Sequence, residues 1–489
     1  MKKLKNYING EWIESKFDNY IDVENPGTGE VLSLVPAGCK EDIELAAESA
    51  SNIFIEWRNT PAVKRIQYLF KMKEILESNS DEIATICTME CGKTFAESKA
   101  EIVRAVENIE VACGIPTLMQ GEFSEDISGG IDEYVIRQPL GIGSCIAPFN
   151  FPIMIAFWFF PYALACGNTY IVKPSEKVPE TMTRIFELFE ELNLPKGVLN
   201  MVHGAKNTVD AILEHPEIKA ISFVGSSHVA KYVYTKGAEF GKRVQAQGGA
   251  KNPLVVMEDA DVDTTTRIIA DSVYGCAGQR CLAASTVILV GKAKEKFKEK
   301  IIEAARTKTT CYGLDKSCQM GAIITQESKN RILNLIKDAE SKGANLLLDG
   351  RAEKVKGYEK GNYIFPTILE NVPGNAEANT MEIFGPVMNM KYADTLDEAI
   401  GLINSGKYGN AACIFTASGA AARKFRHDVL AGNIGVNIGV PAPMAFFPFS
   451  GWKESFFGDL HGQSKHAVEF YTQTKVVIER WHDEWTRKF

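Results

Sequence analysis

The sequence predicts an α/β protein built around a doubly wound parallel sheet. From residue 141 to about residue 256, short apolar runs typical of buried strands alternate with stretches of helical periodicity. The strand-like runs are residues 142–147, 169–172, 198–202 and 220–224. This alternation favours a sheet covered by helices on both faces, an architecture that binds nucleotides at the carboxyl ends of its strands. A second α/β run follows from residue 253 to about 449, and 489 residues exceed what one compact core supports.

The chain ahead of this sheet divides into a strand-rich part and a helical part. Residues 7–35 alternate apolar and polar side chains around the turn signal at 25–29, which predicts short strands. Residues 40–118 have helical periodicity, interrupted at 90–94, where Gly92 suits a helix C-terminus. The Gly-Lys-Thr run at 92–94 also suggests a phosphate-binding loop, but the upstream glycine and the preceding strand that this motif needs are missing.

Two strand-like segments lie far apart in the sequence. Residues 123–142 resemble a two-stranded excursion, and residues 470–472 and 476–478 near the C-terminus are also strand-like. Exposed strand edges are commonly covered by pairing with another subunit. We therefore expect a homodimer or homotetramer.

Charge and hydropathy exclude several classes of partner. The net charge is −8, from 54 basic and 62 acidic residues, without the basic stripe that nucleic acid or anionic lipid requires. The one membrane-like run, residues 151–166, is short for a span and is interrupted by Pro152 and Pro161, so we expect a buried helix there instead. The first ten residues carry charge with no apolar segment behind them, so no signal peptide is expected.

One of the cysteines, Cys281, lies in a sequence context that suits a nucleophile. The eleven cysteines are scattered, which predicts free thiols in a reducing cytoplasm, and no Cys/His spacing resembles a zinc site, so no metal is expected. Cys281 ends the small-residue segment 275–281, just before the β-branched run 285–290. The adjacent cation, Arg280, would favour the thiolate and lower the thiol pKa if its side chain lies near. The alternative is an inert buried cysteine.

Four short segments together form a specific pattern. They are Pro-Phe-Asn-Phe-Pro at 148–152, Lys-Pro-Ser-Glu at 173–176, Gly-Gln-Arg-Cys at 278–281 and Glu-Ile-Phe-Gly-Pro at 382–386. In this order and spacing the sequence resembles the aldehyde dehydrogenase superfamily over nearly its whole length. The likeness is greatest to the CoA-acylating methylmalonate-semialdehyde dehydrogenases, carried also by residues 147–152, 249–252, 450–461 and 470–472.

The resemblance implies an aldehyde dehydrogenase-like fold in three parts. These are a Rossmann-type NAD-binding domain of residues 1–120 and 141–248, an α/β catalytic domain of residues 249–450, and a β oligomerisation arm of residues 121–140 and 463–489.

The resemblance also implies roles for the site residues. Cys281 would be the nucleophile that forms a thioester, and Asn150 would donate its amide to the oxyanion. Lys173 and Glu176 would hold the adenosine ribose of NAD and Glu382 the nicotinamide ribose, while Ser226 would face the pyrophosphate. The carboxylate of Glu176 would favour NAD over NADP, because it repels a 2′-phosphate. The other cofactor positions implied are Ala147, Phe149, Lys177, Gly248 and Phe384.

One position departs from the hydrolytic members of the superfamily. Their general-base glutamate aligns with Gln247, in Gln-Gly-Gly-Ala-Lys at 247–251. A neutral amide cannot accept a proton near neutral pH, so Gln247 cannot activate water. Coenzyme A needs less activation, because a useful fraction of its thiol is already thiolate. The sequence thus favours release by CoA; the alternative is that another carboxylate replaces the base.

Two arginines suggest the substrate. By the resemblance, Arg104 and Arg280 would clamp the substrate carboxylate, and two guanidinium forks give bidentate recognition that lysine would not. Arg104 alone would otherwise be taken for a solvated helix residue. The expected substrate is methylmalonate or malonate semialdehyde, giving propionyl-CoA or acetyl-CoA with loss of CO2. The alternatives are hydrolytic oxidation of another small anionic aldehyde, such as a sulfonated one, and a non-catalytic structural or binding relative.

Overall fold

A computed structural model describes residues 1–481 of the chain. Residues 482–489, which belong to the predicted arm, lie outside the described residues. The strands are β1 (Lys2–Lys3), β2 (Asn6–Ile8), β3 (Glu11–Ile13), β4 (Tyr20–Glu24), β5 (Val31–Pro36), β6 (Phe123–Ser128), β7 (Ile131–Pro139), β8 (Ile142–Ile146), β9 (Thr169–Lys173), β10 (Leu199–Met201), β11 (Ile218–Val224), β12 (Arg243–Gln247), β13 (Asn252–Val256), β14 (Ala284–Val290), β15 (Asn345–Leu348), β16 (Thr367–Glu370), β17 (Val387–Ala393), β18 (Tyr408–Gly409), β19 (Ala411–Phe415), β20 (Asn433–Val436), β21 (Trp452–Lys453), β22 (Phe456–Phe457) and β23 (Thr472–Arg480).

Helices fill the N-terminal region and separate the strands of both large sheets. They are α1 (Lys40–Asn59), α2 (Ala62–Ser78), α3 (Ser80–Cys91), α4 (Phe95–Cys113), α5 (Ile115–Leu118), α6 (Met154–Phe157), α7 (Phe160–Cys166), α8 (Glu180–Phe189), α9 (Lys206–Glu214), α10 (Ser227–Glu239), α11 (Val262–Tyr274), α12 (Ala293–Arg306), α13 (Gln326–Ser341), α14 (Glu377–Thr380), α15 (Leu396–Asn404), α16 (Gly419–Asp428) and α17 (Ser464–Phe470).

The first large sheet has the predicted doubly wound core. Its strand order is β22-β12-β11-β8-β9-β10-β2-β3, with β12, β11, β8, β9 and β10 parallel. Every residue of β8 and β9 is buried, since helices cover both faces of a parallel sheet. The N-terminal hairpin of β2 and β3 extends one edge in antiparallel pairing.

The second large sheet contains the strand that follows Cys281. Its order is β15-β16-β17-β14-β13-β19-β20, parallel except for β15. β14 is therefore a central strand with a buried neighbour on each side. This second α/β unit, together with the first, confirms the predicted fold class.

The two distant strand-like segments pair with each other. β23 runs antiparallel to β7 along its whole length, and β7 pairs with β6. This three-stranded sheet exposes large apolar side chains: Phe123, Ile127, Ile136, Val476 and Ile478. It has the composition expected of a surface that another chain covers.

Helix boundaries follow local chemistry. α3 ends at Gly92, which has a φ of +80°. α4 then begins with a reciprocal capping box, in which Thr94 accepts from the backbone N–H of Glu97 and the Glu97 carboxylate accepts from that of Thr94. The apolar run 151–166, expected to be one buried helix, is instead two short ones, α6 and α7, because Pro161 cannot donate a helical hydrogen bond. Within residues 1–481, no helix is both long and apolar enough to cross a membrane.

Candidate functional site

Cys281 lies at the end of a strained turn. A 3-10 turn at Gly275–Gly278 follows α11, and within it Cys276 and Ala277 have φ values of +49° and +52°, in the left-handed region that non-glycine residues avoid. Gly278 also has a positive φ of +71°, and a Cβ there would lie 2.2 Å from the carbonyl oxygen of Gly385. The turn is thus pressed against the 382–386 segment, which brings two of the four motif segments together.

The thiol of Cys281 is half-buried and is not activated by its neighbours in this state. Burial raises the pKa of Cys281 to about 12, and the nearby Glu382 carboxylate adds to the increase. Arg280 lowers it only weakly, because its guanidinium donates instead to Cys276 Sγ at 3.2 Å and pairs with Glu97 at 3.0 Å. Arg280 thus acts in the expected direction on the pKa of Cys281, but burial outweighs it and the pKa stays above its ordinary value.

Two asparagines hold the backbone of the nucleophile. The carbonyl oxygen of Cys281 accepts from Asn252 Nδ2 at 2.8 Å and from Asn410 Nδ2 at 2.7 Å. The side chain of Gln247, at the position of the missing base, donates from Nε2 to Asn410 Oδ1 at 2.9 Å. Gln247 is therefore part of a neutral network around Cys281. Sequence reasoning assigned no role to Asn252 or Asn410.

The predicted oxyanion donor lies beside the same turn. Asn150 is buried, and its Nδ2 donates to the carbonyl oxygen of Gln279 at 2.8 Å, two residues before Cys281. The Asn150 carbonyl accepts from Lys93 Nζ at 3.2 Å, and Lys93 forms a buried ion pair with Glu101. Lys93 is therefore a structural partner of the Asn150 loop, and the phosphate-loop alternative for residues 92–94 is wrong.

One face of α4 contacts three loops of the site. Glu97, Glu101, Arg104 and Glu107 recur every three or four residues, the spacing of one helix face. Glu97 accepts from the backbone N–H of Cys276 at 2.6 Å. Glu101 accepts from the backbone N–H groups of Ile153 and Met154 at 2.7 and 2.9 Å. Glu107 accepts from that of Ala445 at 2.9 Å. We call these four side chains the α4 stripe.

Both predicted clamp arginines pair with glutamates of the α4 stripe. Arg104 pairs with Glu107 at 2.5 Å, contacts Met444 Sδ at 2.9 Å and donates to the Pro443 carbonyl. Arg280 pairs with Glu97, one turn before Glu101. Each arginine side chain as a whole is about one-quarter exposed.

The residues of the first sheet that are predicted to bind the cofactor lie at the carboxyl ends of neighbouring strands. Ala147 follows β8, Lys173 ends β9, and Ser226 follows β11 as the N-cap of α10. Lys173 Nζ lies 3.1 Å from Glu176 Oε2. Burial acts to raise the pKa of Glu176, but this ammonium keeps it below its ordinary value. Ser226 makes no capping hydrogen bond with its hydroxyl. Strand ends and a helix N-terminus of this kind suit a dinucleotide.

Other residues predicted to bind the cofactor lie around Glu382. Its Oε1 accepts from the backbone N–H of Ala250 at 2.9 Å, and a Cβ at Gly249 would lie 2.6 Å from its Oε2. A Cβ at Gly248 would lie 2.8 Å from the Glu454 carbonyl oxygen, so the turn after β12 requires glycine at that position. Burial raises the pKa of Glu382 to about 7.

Aromatic contacts connect the two sides. The ring centroids of Phe149 and Phe384 lie 5.8 Å apart, edge to face, and Lys177 Nζ lies 5.4 Å from the Phe149 ring. Phe384 has a positive φ of +53°. The residues predicted to hold NAD thus form one lining, with glycines where backbone must approach closely, and this donor set fits a dinucleotide.

Comparison with known proteins agrees with this geometry. The aldehyde dehydrogenase family model matches residues 12–477. Malonate-semialdehyde dehydrogenase of Halalkalibacterium halodurans is 45% identical over 480 residues, covering 98% of this chain and 99% of the relative. The mitochondrial acylating methylmalonate-semialdehyde dehydrogenase of Arabidopsis thaliana is 46% identical over 482 residues, covering 98% and 79%. A structure named methylmalonate-semialdehyde dehydrogenase, from Sinorhizobium meliloti in complex with NAD, superposes with a TM-score of 0.97 at 40% identity and 99% coverage of both chains.

Proposed function

Because the chain belongs to the aldehyde dehydrogenase family, we propose that it oxidises malonate or methylmalonate semialdehyde with NAD and transfers the acyl group to coenzyme A. The names of its relatives support the substrate class, and the NAD complex of a structural neighbour supports the cofactor. The observation that carries acyl transfer to CoA is Gln247, a buried amide that donates to Asn410 where a hydrolytic enzyme needs a base.

In the first half-reaction, Cys281 forms a bond to the aldehyde carbon. The thiol proton passes to solvent as the sulfur adds to the carbonyl, and the carbonyl oxygen becomes an oxyanion. Asn150 uses one amide hydrogen for the Gln279 carbonyl, which leaves the other for the oxyanion, alongside the backbone N–H of Cys281. When bound, NAD supplies the hydride acceptor that the oxidation requires. Lys173, Glu176, Ser226 and Glu382 would hold it, and Cys281 is left as a thioester.

In the second half-reaction, the CoA thiolate attacks the thioester carbonyl and Cys281 leaves as thiolate. No water needs to be deprotonated, so a neutral side chain at position 247 is sufficient. An acyl group with a carboxylate on the next carbon loses CO2 readily, because the thioester carbonyl stabilises the carbanion. The products would be acetyl-CoA from malonate semialdehyde and propionyl-CoA from methylmalonate semialdehyde.

Arg104 and Arg280 remain the proposed carboxylate clamp. Both contribute charge on the α4 side of Cys281, and both side chains are partly exposed beside their glutamates. Substrate binding would share each guanidinium between a glutamate and the substrate anion, a geometry that the planar fork of arginine permits. A sulfonated aldehyde would satisfy the same clamp.

Product analysis with and without CoA tests the proposal. We expect NADH to form in a burst of about one equivalent without CoA, and to turn over with formation of acetyl-CoA when CoA is added. Cys281→Ala should abolish NADH formation in both conditions. Fast steady-state NADH formation with free acid as product, in the absence of CoA, would contradict acyl transfer to CoA.

Hydrolytic release is the second candidate, and Glu382 is the observation that favours it. Its carboxylate lies close enough to raise the pKa of Cys281, and its own pKa of about 7 suits a general base. The same product analysis decides between the two candidates. A non-catalytic relative is disfavoured because Cys281, Asn150, Lys173 and Glu382 are all present.

Three further assignments remain proposals. The domain division at residues 1–120 with 141–248, 249–450, and 121–140 with 463–489 agrees with the separate sheets. A homodimer or homotetramer would cover the exposed apolar residues of β6, β7 and β23. A cytoplasmic location suits the free thiols of the eleven cysteines.

A further inference from the structure

We infer that Gln247 and Asn410 form one functional unit, the amide chain, which positions the nucleophile by holding the backbone carbonyl of Cys281. The amide chain runs from Gln247 Nε2 to Asn410 Oδ1, at 2.9 Å, and from Asn410 Nδ2 to the Cys281 carbonyl oxygen, at 2.7 Å. Both side chains are at least 95% buried, so water does not substitute for either partner. The inference rests on the proposed role of Cys281 as nucleophile.

Chemistry dictates the orientation of each amide. A carbonyl oxygen accepts only, so Asn410 must turn its NH2 group toward Cys281. Its oxygen then faces position 247, which must present a donor. Glutamine satisfies this requirement and an ionised glutamate does not. The residue at position 247 therefore does more than omit a base, because its donor is needed to keep Asn410 aimed at the nucleophile.

Introducing a glutamate at position 247 would disturb the support of Cys281 and not simply add a base. Gln247→Glu, which restores the residue of the hydrolytic enzymes, would place a carboxylate oxygen against Asn410 Oδ1. Asn410 would have to flip, and its oxygen would then oppose the Cys281 carbonyl at hydrogen-bond distance. When the introduced carboxyl group is protonated, however, its O–H donates to Asn410 Oδ1 as the glutamine does. The amide chain would form at low pH and break at high pH.

Other titratable groups surround this position and must be separated from it. The groups on neighbouring elements are Cys281 itself, Glu382 and Lys251 across the glycine turn, Lys407 and Tyr408 before Asn410, Glu454 beside Gly248, and His461, whose ring lies 3.2 Å from the Gly451 carbonyl. All of them are present in the wild type and in every variant below. The ratio of variant to wild-type rate at each pH therefore isolates the added carboxylate.

The matched control is Gln245→Glu. Gln245 lies two residues earlier on β12, is equally buried, and donates to Ser222 Oγ at 2.8 Å without contact to the Cys281 turn. A glutamate there carries a similar burial cost. Any pH effect due only to a buried carboxylate in this strand would appear in both variants.

The experiment measures the single-turnover rate of NADH formation from malonate semialdehyde without CoA, between pH 6 and 9. For Gln247→Glu, we expect the ratio to the wild-type rate to fall about tenfold as pH rises, because one buried hydrogen bond to the turn is lost. For Gln245→Glu the ratio should stay flat. Asn410→Ala should be slow at every pH, and adding Gln247→Glu to it should restore no pH dependence.

The direction in which the rate ratio changes with pH decides whether the inference holds. A ratio for Gln247→Glu that rises with pH would mean that the introduced carboxylate acts as a base, and a flat ratio would mean that the donor at this position is not needed; either overturns the inference. pH dependence that persists in the Asn410→Ala background overturns it as well. If Cys281→Ala retains the NADH burst, the proposed function itself fails. If Cys281→Ala abolishes the burst and the Gln247→Glu ratio stays flat, only the amide chain is refuted.

Discussion

The two sides of Cys281 are built from different chemistry. On one side the α4 stripe presents ionised groups: Glu97 with Arg280, Glu101 with Lys93, and Glu107 with Arg104. On the other side two neutral amides hold the nucleophile's backbone carbonyl, Asn252 and Asn410, the latter held by Gln247. Both sides are largely buried, so the contrast is one of charge and not of exposure.

This contrast separates two tasks. A carboxylated substrate needs cationic partners, and arginines stay charged and oriented at a largely buried site only when carboxylates pair with them. Under the proposed transfer to CoA, the thioester has to persist until CoA binds. The Gln247–Asn410 network would hold it in place without itself activating a water molecule.

The largest expected effect on the charged side is in Lys93→Met. The Lys93 side chain is 2% exposed and that of Glu101 is fully buried. Removing the ammonium leaves a buried carboxylate with its backbone donors and the weak thiol donor of Cys87, which costs about 3–5 kcal/mol of unfolding free energy. Urea denaturation measures this loss. Acylation should slow as well, since the Asn150 carbonyl loses its Lys93 donor.

Lys99→Met is the matched control for this substitution. Lys99 is on α4 too, but it pairs with an Asp81 side chain that is 82% exposed. An exposed pair of this kind contributes about 0–1 kcal/mol. Equal losses of unfolding free energy in the two variants would show that the buried Lys93–Glu101 pair contributes no more than an exposed pair.

A smaller and more selective effect is expected for Arg104→Ala. The KM for malonate semialdehyde should rise roughly tenfold or more, because a hydrogen bond to a charged group contributes about 1.5–3 kcal/mol. The KM for propanal, which has no carboxylate, should change little. Arg104→Lys should lie between the two, since lysine keeps the charge but lacks the fork. Steady-state kinetics on both aldehydes measures these KM values. Equal increases in KM for both aldehydes would mean that Arg104 only stabilises the 443–445 loop.

The smallest effect concerns the pH dependence of NAD binding. Burial raises the pKa of Glu382 to about 7, so the carboxylate that would hold the ribose is largely protonated at pH 6 and ionised at pH 8. The ionised form accepts two hydroxyl donors, so affinity should rise several-fold with pH through about 7 and then level off. Calorimetric titration measures it, with Glu382→Gln as the pH-independent control. Wild-type affinity that falls with rising pH would contradict the assignment.

The sequence predicted residues that carry chemistry better than residues that support them. Strand–helix alternation indicated the first sheet, and Cys281, Asn150 and Glu382 were singled out by motif. Asn410 was not, because it acts on residues 129 and 163 positions away and its own surroundings in the sequence carry no signal. Lys93 was considered only as part of a phosphate loop, since its partnership with Glu101 depends on burial that appears only in the fold.

The contacts of Arg280 also could not be predicted from the sequence. Adjacency in sequence predicted an effect on the Cys281 thiol, but the left-handed residues Cys276 and Ala277 turn the chain so that the guanidinium reaches Cys276 and Glu97 instead. Nothing local in the sequence predicts two consecutive non-glycine residues with positive φ.

The α4 stripe also sets the distance between two loops of the site. Glu97 and Glu107 are ten residues apart on one helix, which fixes their separation at about 15 Å. Each holds a different loop, one carrying Arg280 and the other running from Pro443 to Ala445. The spacing between these loops is therefore a property of helical rise. Under the proposed clamp, inserting or removing residues between Glu97 and Glu107 would shift these two loops relative to each other by about 1.5 Å per residue, whereas exchanging either arginine would change only the head group that is recognised.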